Sequence, residues 1–201
     1  GNSLAELENL SSDAPCSTVS QTMASCLLRG ARGNSGVILS LIFRGFAKAL
    51  QGKTEMTAED LVNALELGVQ GAYKSVMKPT EGTILTVARE SAEKAREILH
   101  TTNDPTAIMT DVCIQAKLSL DETPKLLPAL AKAGVVDAGG MGLLIIFEAM
   151  RDVFNGGSIV PLNDPEGAKT VTVENFASTV GQYDAEIHFT YCTEMLIRSE
   201  E

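Results

Sequence analysis

STVSQTMASCLLRGARGNSGVILSLIFRGFAKAL, residues 17–50, decides the fold class. Val19, Met23, Cys26 and Leu27 recur at steps of three and four, the apolar stripe of an amphipathic helix. The stripe breaks at Gly30-Ala31-Arg32-Gly33-Asn34-Ser35-Gly36 and resumes with Ile38, Leu41, Ile42, Phe46 and Leu50. The segment therefore reads as two helices joined by a glycine-rich turn, the second starting at Asn34-Ser35-Gly36 and ending near Gly52.

The same period continues outward. Thr57-Ala-Glu-Asp60 announces a third helix, with Thr57 as cap and the acids suited to the positive end of the helix dipole. Leu61, Leu65, Val69, Ala72 and Val76 form its stripe, and Pro79 stops it. A fourth helix runs from Gly82-Thr83 through Val87 and Ala95 to His100, and Asp104-Pro105 opens a fifth with Ile108, Val112, Ala116 and Leu120 inward. Thr123-Pro124 predicts the start of a shorter helix ending at Gly134, and a last one runs from about Gly139 to Phe154. This makes roughly seven helices with short polar joints, an all-α domain.

After Gly157 the pattern changes. Pro161, Asn163, Asp164, Pro165 and Gly167 make a linker, and Ile187, Phe189 and Tyr191 alternate with polar residues as a strand does. The expected division is a helical domain over 1–157 and, over 158–201, a linker and a strand-forming segment that begins an α+β domain or makes a short hairpin packed on the helices.

Composition narrows the function. The 201 residues carry 26 Asp and Glu against 16 Lys and Arg, a net charge of −10. Such a surface repels phosphodiester backbones, so nucleic acid is not an expected partner. Trp is absent and aromatics make up 4%, which argues against stacking platforms. No apolar run reaches the roughly 18 residues of a membrane span. Cys16, Cys26, Cys113 and Cys192 lie far apart, form no metal-type pair, and suit a reducing cytoplasm as free thiols. His100 falls at a helix C-terminus and His188 on the terminal strand pattern, so no nucleophile–His–acid set assembles.

Three glycine-bearing helix starts remain as candidates. Gly33, Asn34, Ser35 and Gly36 have neither Walker A nor dinucleotide-fold spacing, but they place backbone N–H groups and two polar side chains at a helix N-terminus, where an anion binds. A tight helix crossing that needs small residues explains the same glycines. Asp137-Ala138-Gly139-Gly140 either caps the last helix or lies against a ligand's ribose or phosphate side. Thr83 is either a capping hydroxyl or a ligand contact. Three such starts in one helical chain suggest a pole where N-termini converge, an anion site without a basic patch.

At these residues the sequence resembles a known family. Leu28-Arg-Gly-Ala-Arg-Gly-Asn-Ser-Gly-Val-Ile-Leu-Ser40 with Phe43-Arg-Gly-Phe46 is similar to the DhaL-type domain of dihydroxyacetone kinases, in the branch of the bacterial fatty acid kinase catalytic subunit. Tyr73-Lys-Ser-Val-Met-Lys-Pro-Thr-Glu-Gly-Thr-Ile-Leu-Thr-Val87 and Gly134-Val-Val-Asp-Ala-Gly-Gly-Met-Gly-Leu143 match that branch, as does Tyr191-Cys-Thr-Glu-Met195, where the family's middle domain begins.

The resemblance implies an antiparallel helical barrel holding ATP and Mg²⁺ at one end. Gly33, Asn34, Ser35 and Gly36 would contact phosphates, Thr83 would lie near the nucleotide, and Asp137, Ala138, Gly139 and Gly140 would form another wall. The implied reaction is phosphoryl transfer to a fatty acid carboxylate presented by a DegV-like lipid-binding partner. A homodimer is among the states it allows. The alternatives are a glycerone (dihydroxyacetone) kinase subunit and a non-catalytic nucleotide-binding scaffold. Family members hold the metals on an Asp-Gly-Asp-Thr-Gly loop, and this sequence contains none, so the expectation is a phosphate-facing half-site, inactive alone. Cys192 carries a further expectation, as a metal ligand of the middle domain that is metal-free here.

Overall fold

The computed structural model describes residues 6–157. They belong to the first of two compact units, Gly1–Ile159 and Val160–Glu201. The strand pattern around Tyr191, His188 and Cys192 lies outside the described residues.

Among the described residues from 16 onward, seven helices follow one another: α1 (Cys16–Gly30), α2 (Gly33–Ala49), α3 (Ala58–Ser75), α4 (Ile84–Leu99), α5 (Pro105–Leu126), α6 (Pro128–Ala133) and α7 (Ala138–Phe154). No strand occurs among the described residues. Chain neighbours pack side by side through short joints, giving the antiparallel helical array expected, with α7 returning against α4 and α5.

The stripes seen in sequence face inward. Leu61, Leu85, Ile108, Met109, Leu120 and Leu143 are the largest fully buried side chains, each stabilising the fold by about 1.5–3 kcal/mol. Ala64, Ala72, Ala92, Ala95 and Ala116 fill the spaces between them and let the helices approach closely. The closest approach is α2 against α3, where a Cβ on Gly45 would lie 2.3 Å from the Leu67 carbonyl oxygen and one on Gly68 2.7 Å from that of Ile42.

Side-chain caps set the register. Thr57 and Asp60 form the reciprocal box at the start of α3, and Lys53 adds an ion pair to Asp60 at 2.7 Å. The start of α1 is held to the α2–α3 joint, where the N–H groups of Cys16 and Ser17 donate to the carbonyls of Thr54 and Lys53. Arg96 on α4 ties to Glu66 and Asn63 on α3.

One boundary differs from the sequence expectation. Pro124 does not start a helix; α5 runs through it to Leu126, and the short helix begins at Pro128. Proline costs a helix one N–H, here the donor that Leu120 would receive. The Thr123 hydroxyl donates to that carbonyl at 2.7 Å instead, so the helix continues. The break falls where Leu127 turns extended before Pro128.

A helical pole built from three N-termini

Helices α2, α4 and α7 start close together. A Cβ built on Gly139 would lie 3.1 Å from Ser35 Oγ, 3.2 Å from Asp137 Oδ2 and 3.3 Å from Ile84 Cβ. One point thus touches the first turns of three helices that are far apart in sequence. Gly140 next to it is buried against Val87 of α4 and Leu120 of α5, where a Cβ would stand 2.9 Å and 3.1 Å from their side chains.

The three starts differ in what their N–H groups meet. Asp137 caps α7, its Oδ2 accepting from Gly140 N at 2.7 Å. Thr83 caps α4, accepting from Leu85 N at 3.3 Å while its hydroxyl donates to the Thr80 carbonyl at 2.8 Å. For both residues the capping interpretation is realised. By contrast, α2 has no side-chain cap and no acid in its first turn. Its N-terminal residue Gly33 sits at φ +64°, left-handed backbone that glycine adopts without strain. Asn34 and Ser35 are exposed and their side chains have no hydrogen-bond partner among the described residues. The first turn of α2 therefore presents open donors at the positive end of a 17-residue helix.

Two features of the pole were not singled out from sequence. Arg32, the residue preceding α2, is exposed and adds a cation beside the open donors, its guanidinium donating to the Ala31 carbonyl at 2.7 Å. The other is Glu81, which organises the loop before α4. It accepts from the hydroxyls of Thr86 (2.6 Å) and Tyr73 (2.9 Å) and from Arg89 (3.1 Å). The Thr86 bond does most to hold the Glu81 carboxyl below its ordinary pKa, opposed by burial and aided by Tyr73 and Arg89. A carboxylate five residues ahead of a helical threonine was a signal, but which groups meet it depends on how α3 and α4 pack.

Thr123 joins the pole to the core. Its hydroxyl bonds Leu120 and accepts from Asp137 N at 3.1 Å, so it links α5 to the start of α7. The Gly82 turn, at φ +80°, packs on the same place, with a Cβ there 3.1 Å from the Thr123 carbonyl oxygen.

Among the described residues no group of three His, Cys, Asp or Glu side chains could hold a metal ion. Burial pushes the Cys113 thiol up to about 11, so it is protonated at neutral pH and no nucleophile. No described helix is long and apolar enough to cross a membrane. A recess of about 880 Å³ lined by α1, α2 and α3 contains none of the residues of the pole.

The all-α array agrees with the helical fold that the sequence resemblance implies. A family model described as the DAK2 domain matches residues 2–152, and the chain belongs to that family. Protein YloV of Bacillus subtilis (strain 168) is 43% identical over 199 residues, covering 98% of this chain and 36% of that protein. An uncharacterized protein of Staphylococcus aureus (strain USA300) is 40% identical over 185 residues, and one of Staphylococcus saprophyticus 41% over 180, each covering 89% of this chain and 32% of the relative. The chain thus spans about a third of the length of these relatives.

Proposed function

We propose that this chain is the nucleotide-binding part of a cytoplasmic ATP-dependent kinase that phosphorylates a fatty acid carboxylate, presented by a DegV-like lipid-binding partner, to give an acyl phosphate. The observation that carries the reading is the meeting of Ser35, Ile84 and Gly139 at one point, with the uncapped first turn of α2 beside it. Membership of the DAK2 family supports the kinase class.

In this reading the N–H groups of Gly33, Asn34 and Ser35 and the side chains of Asn34 and Ser35 hold phosphate oxygens. Gly36 keeps the first turn close to Ala31, where a Cβ would already stand 3.5 Å away. Thr83 and the segment Asp137, Ala138, Gly139 and Gly140 wall the nucleotide on the sides of α4 and α7. ATP supplies the phosphoryl group. The bond between the γ-phosphorus and the bridging oxygen breaks, a carboxylate oxygen bonds to phosphorus, and ADP leaves. A fatty acid is ionised at pH 7, so no side chain has to remove a proton. The oriented donors neutralise charge on the transferring group. Mg²⁺ belongs to the reading through the family, and the described residues offer it no ligand set.

The test compares Asn34→Ala/Ser35→Ala with the unmodified sequence, in this chain and in the longer protein, by calorimetric titration with Mg-ATP. Losing two bonds to a charged phosphate should weaken binding by about tenfold or more. With its partner, the longer protein should form acyl phosphate, and this chain alone should not. Unchanged affinity in the double variant, or no ATP binding in either protein, overturns the reading. Phosphorylation of glycerone without acyl phosphate would assign the dihydroxyacetone-kinase alternative.

A further inference from the structure

The recess on α1, α2 and α3 has a chemistry of its own. Helix α2 contributes Leu41, Gly45 and the exposed Arg44 and Lys48 to its lining, and α1 and α3 line it on either side. Gly45 sets how tightly α3 can approach, through its contact with the α3 backbone. Arg44, Lys48 and Lys74 line the recess together with the amides Gln21, Gln51 and Gln70, and no carboxylate lines it.

This concentration of positive charge goes against the character of the chain. The sequence has 26 acids, yet α1 and α2 contain none. On α3, Asp60 is paired with Lys53 and Glu66 with Arg96, so those two carboxylates are committed elsewhere. Among the described residues Arg44, Lys48 and Lys74 enter no ion pair, nor do Arg32, Lys78 and Lys132, whereas Arg29, Lys53, Arg89, Lys94, Arg96, Lys117, Lys125 and Arg151 all do; of the six unpaired cations only Arg44, Lys48 and Lys74 line the recess. Three uncompensated cations around one concavity repel one another and attract a counter-anion.

From this geometry we infer a second ligand site, separate from the pole, that binds a small molecule carrying two or more phosphate or carboxylate groups. Arg44 and Lys48 are one helical turn apart, about 6 Å between Cβ atoms, so neighbouring anionic groups of one ligand can reach both while Lys74 closes from α3. The amides supply uncharged donors to the remaining oxygens. The volume of about 880 Å³ falls within the ~300–1,000 Å³ of small-molecule sites. A recess lined by three helices suits such a ligand better than the broad surface, about 800 Å² per partner, of a stable protein–protein contact. Residue 44 lies about 12 Å along the α2 axis from Gly36, so the recess is distinct from the first turn of that helix. The inference does not depend on the phosphoryl-transfer reading.

The experiment titrates the chain with inorganic triphosphate and, separately, citrate, at matched ionic strength and without divalent metal, by calorimetry and by backbone amide shifts. Saturable binding of at least one probe is expected, with shifts at residues 41–51 and 67–75. Arg44→Gln/Lys48→Gln should weaken it by about tenfold or more, as loss of charge-assisted bonds does, with Lys132→Gln as an unaffected control and thermal midpoints unchanged. Triphosphate binding alone marks a phosphate ligand, and citrate binding alone a carboxylate one. The inference is overturned if neither probe saturates, if the double variant binds as well as the parent, or if the shifts fall only at 33–36, 83 and 137–140. Binding of polyglutamate but of neither small probe also overturns it, in favour of an acidic protein partner.

Discussion

Thr123 shows how much one hydroxyl can organise. Fully buried, it replaces the donor that Pro124 removes from α5 and also holds the N–H that begins the α7 cap. Thr123→Val keeps the shape and removes both bonds, leaving the Leu120 carbonyl and Asp137 N–H unpartnered. The expected loss is about 2 kcal/mol or more, with Thr123→Ser restoring most of it, measured as denaturant midpoints at constant m. Gly45 makes a different kind of demand. Its Cβ would overlap the α3 backbone, so Gly45→Ala should cost about 1–3 kcal/mol by forcing α2 and α3 apart.

Among the helices, α3 carries the most complete terminal wiring. Its capping box joins Thr57 and Asp60, and Thr57→Ala should cost about 1 kcal/mol. The Lys53 ammonium does most to hold the Asp60 carboxyl below its ordinary pKa, with Thr57 adding to it and burial opposing. A depressed carboxylate stabilises the fold fully above the usual aspartate range, about pH 4, and this contribution is lost as pH falls through the lower folded value. Thermal midpoints should therefore fall as the solution is acidified below about pH 4, and Asp60→Asn should flatten that part of the profile while lowering the plateau. An equally steep acid profile in Asp60→Asn would remove this carboxylate from the account. Helix α2 is the opposite case, uncapped at its start where an anion is proposed to complete it.

At the level of the whole molecule, the packing of α2, α4 and α7 makes the pole. Gly139→Ala places a methyl between Ser35, Asp137 and Ile84, each 3.1–3.3 Å away. It should weaken nucleotide binding more than it lowers the thermal midpoint, because the crowding falls on the pole and not on the core. Titration with Mg-ATP beside a melting curve checks this, and a stability loss with affinity retained would place the nucleotide away from the pole.

The sequence alone determined the helical class, because apolar steps of three and four leave one solution over residues 17–154. It also named Thr57 as a cap and gave capping as one of two readings for Thr83 and Asp137, since caps act within one turn. The α5 break was misplaced at Pro124 because its rescue by Thr123 is a side-chain bond that periodicity does not register. Tertiary structure decided the rest. Which helix starts meet, why Gly45 cannot carry a Cβ, and that Arg44, Lys48 and Lys74 share one recess all depend on how helices pack across the chain. Local pattern encodes which face of a helix is buried; only packing determines what that face, or the one opposite, comes to lie beside.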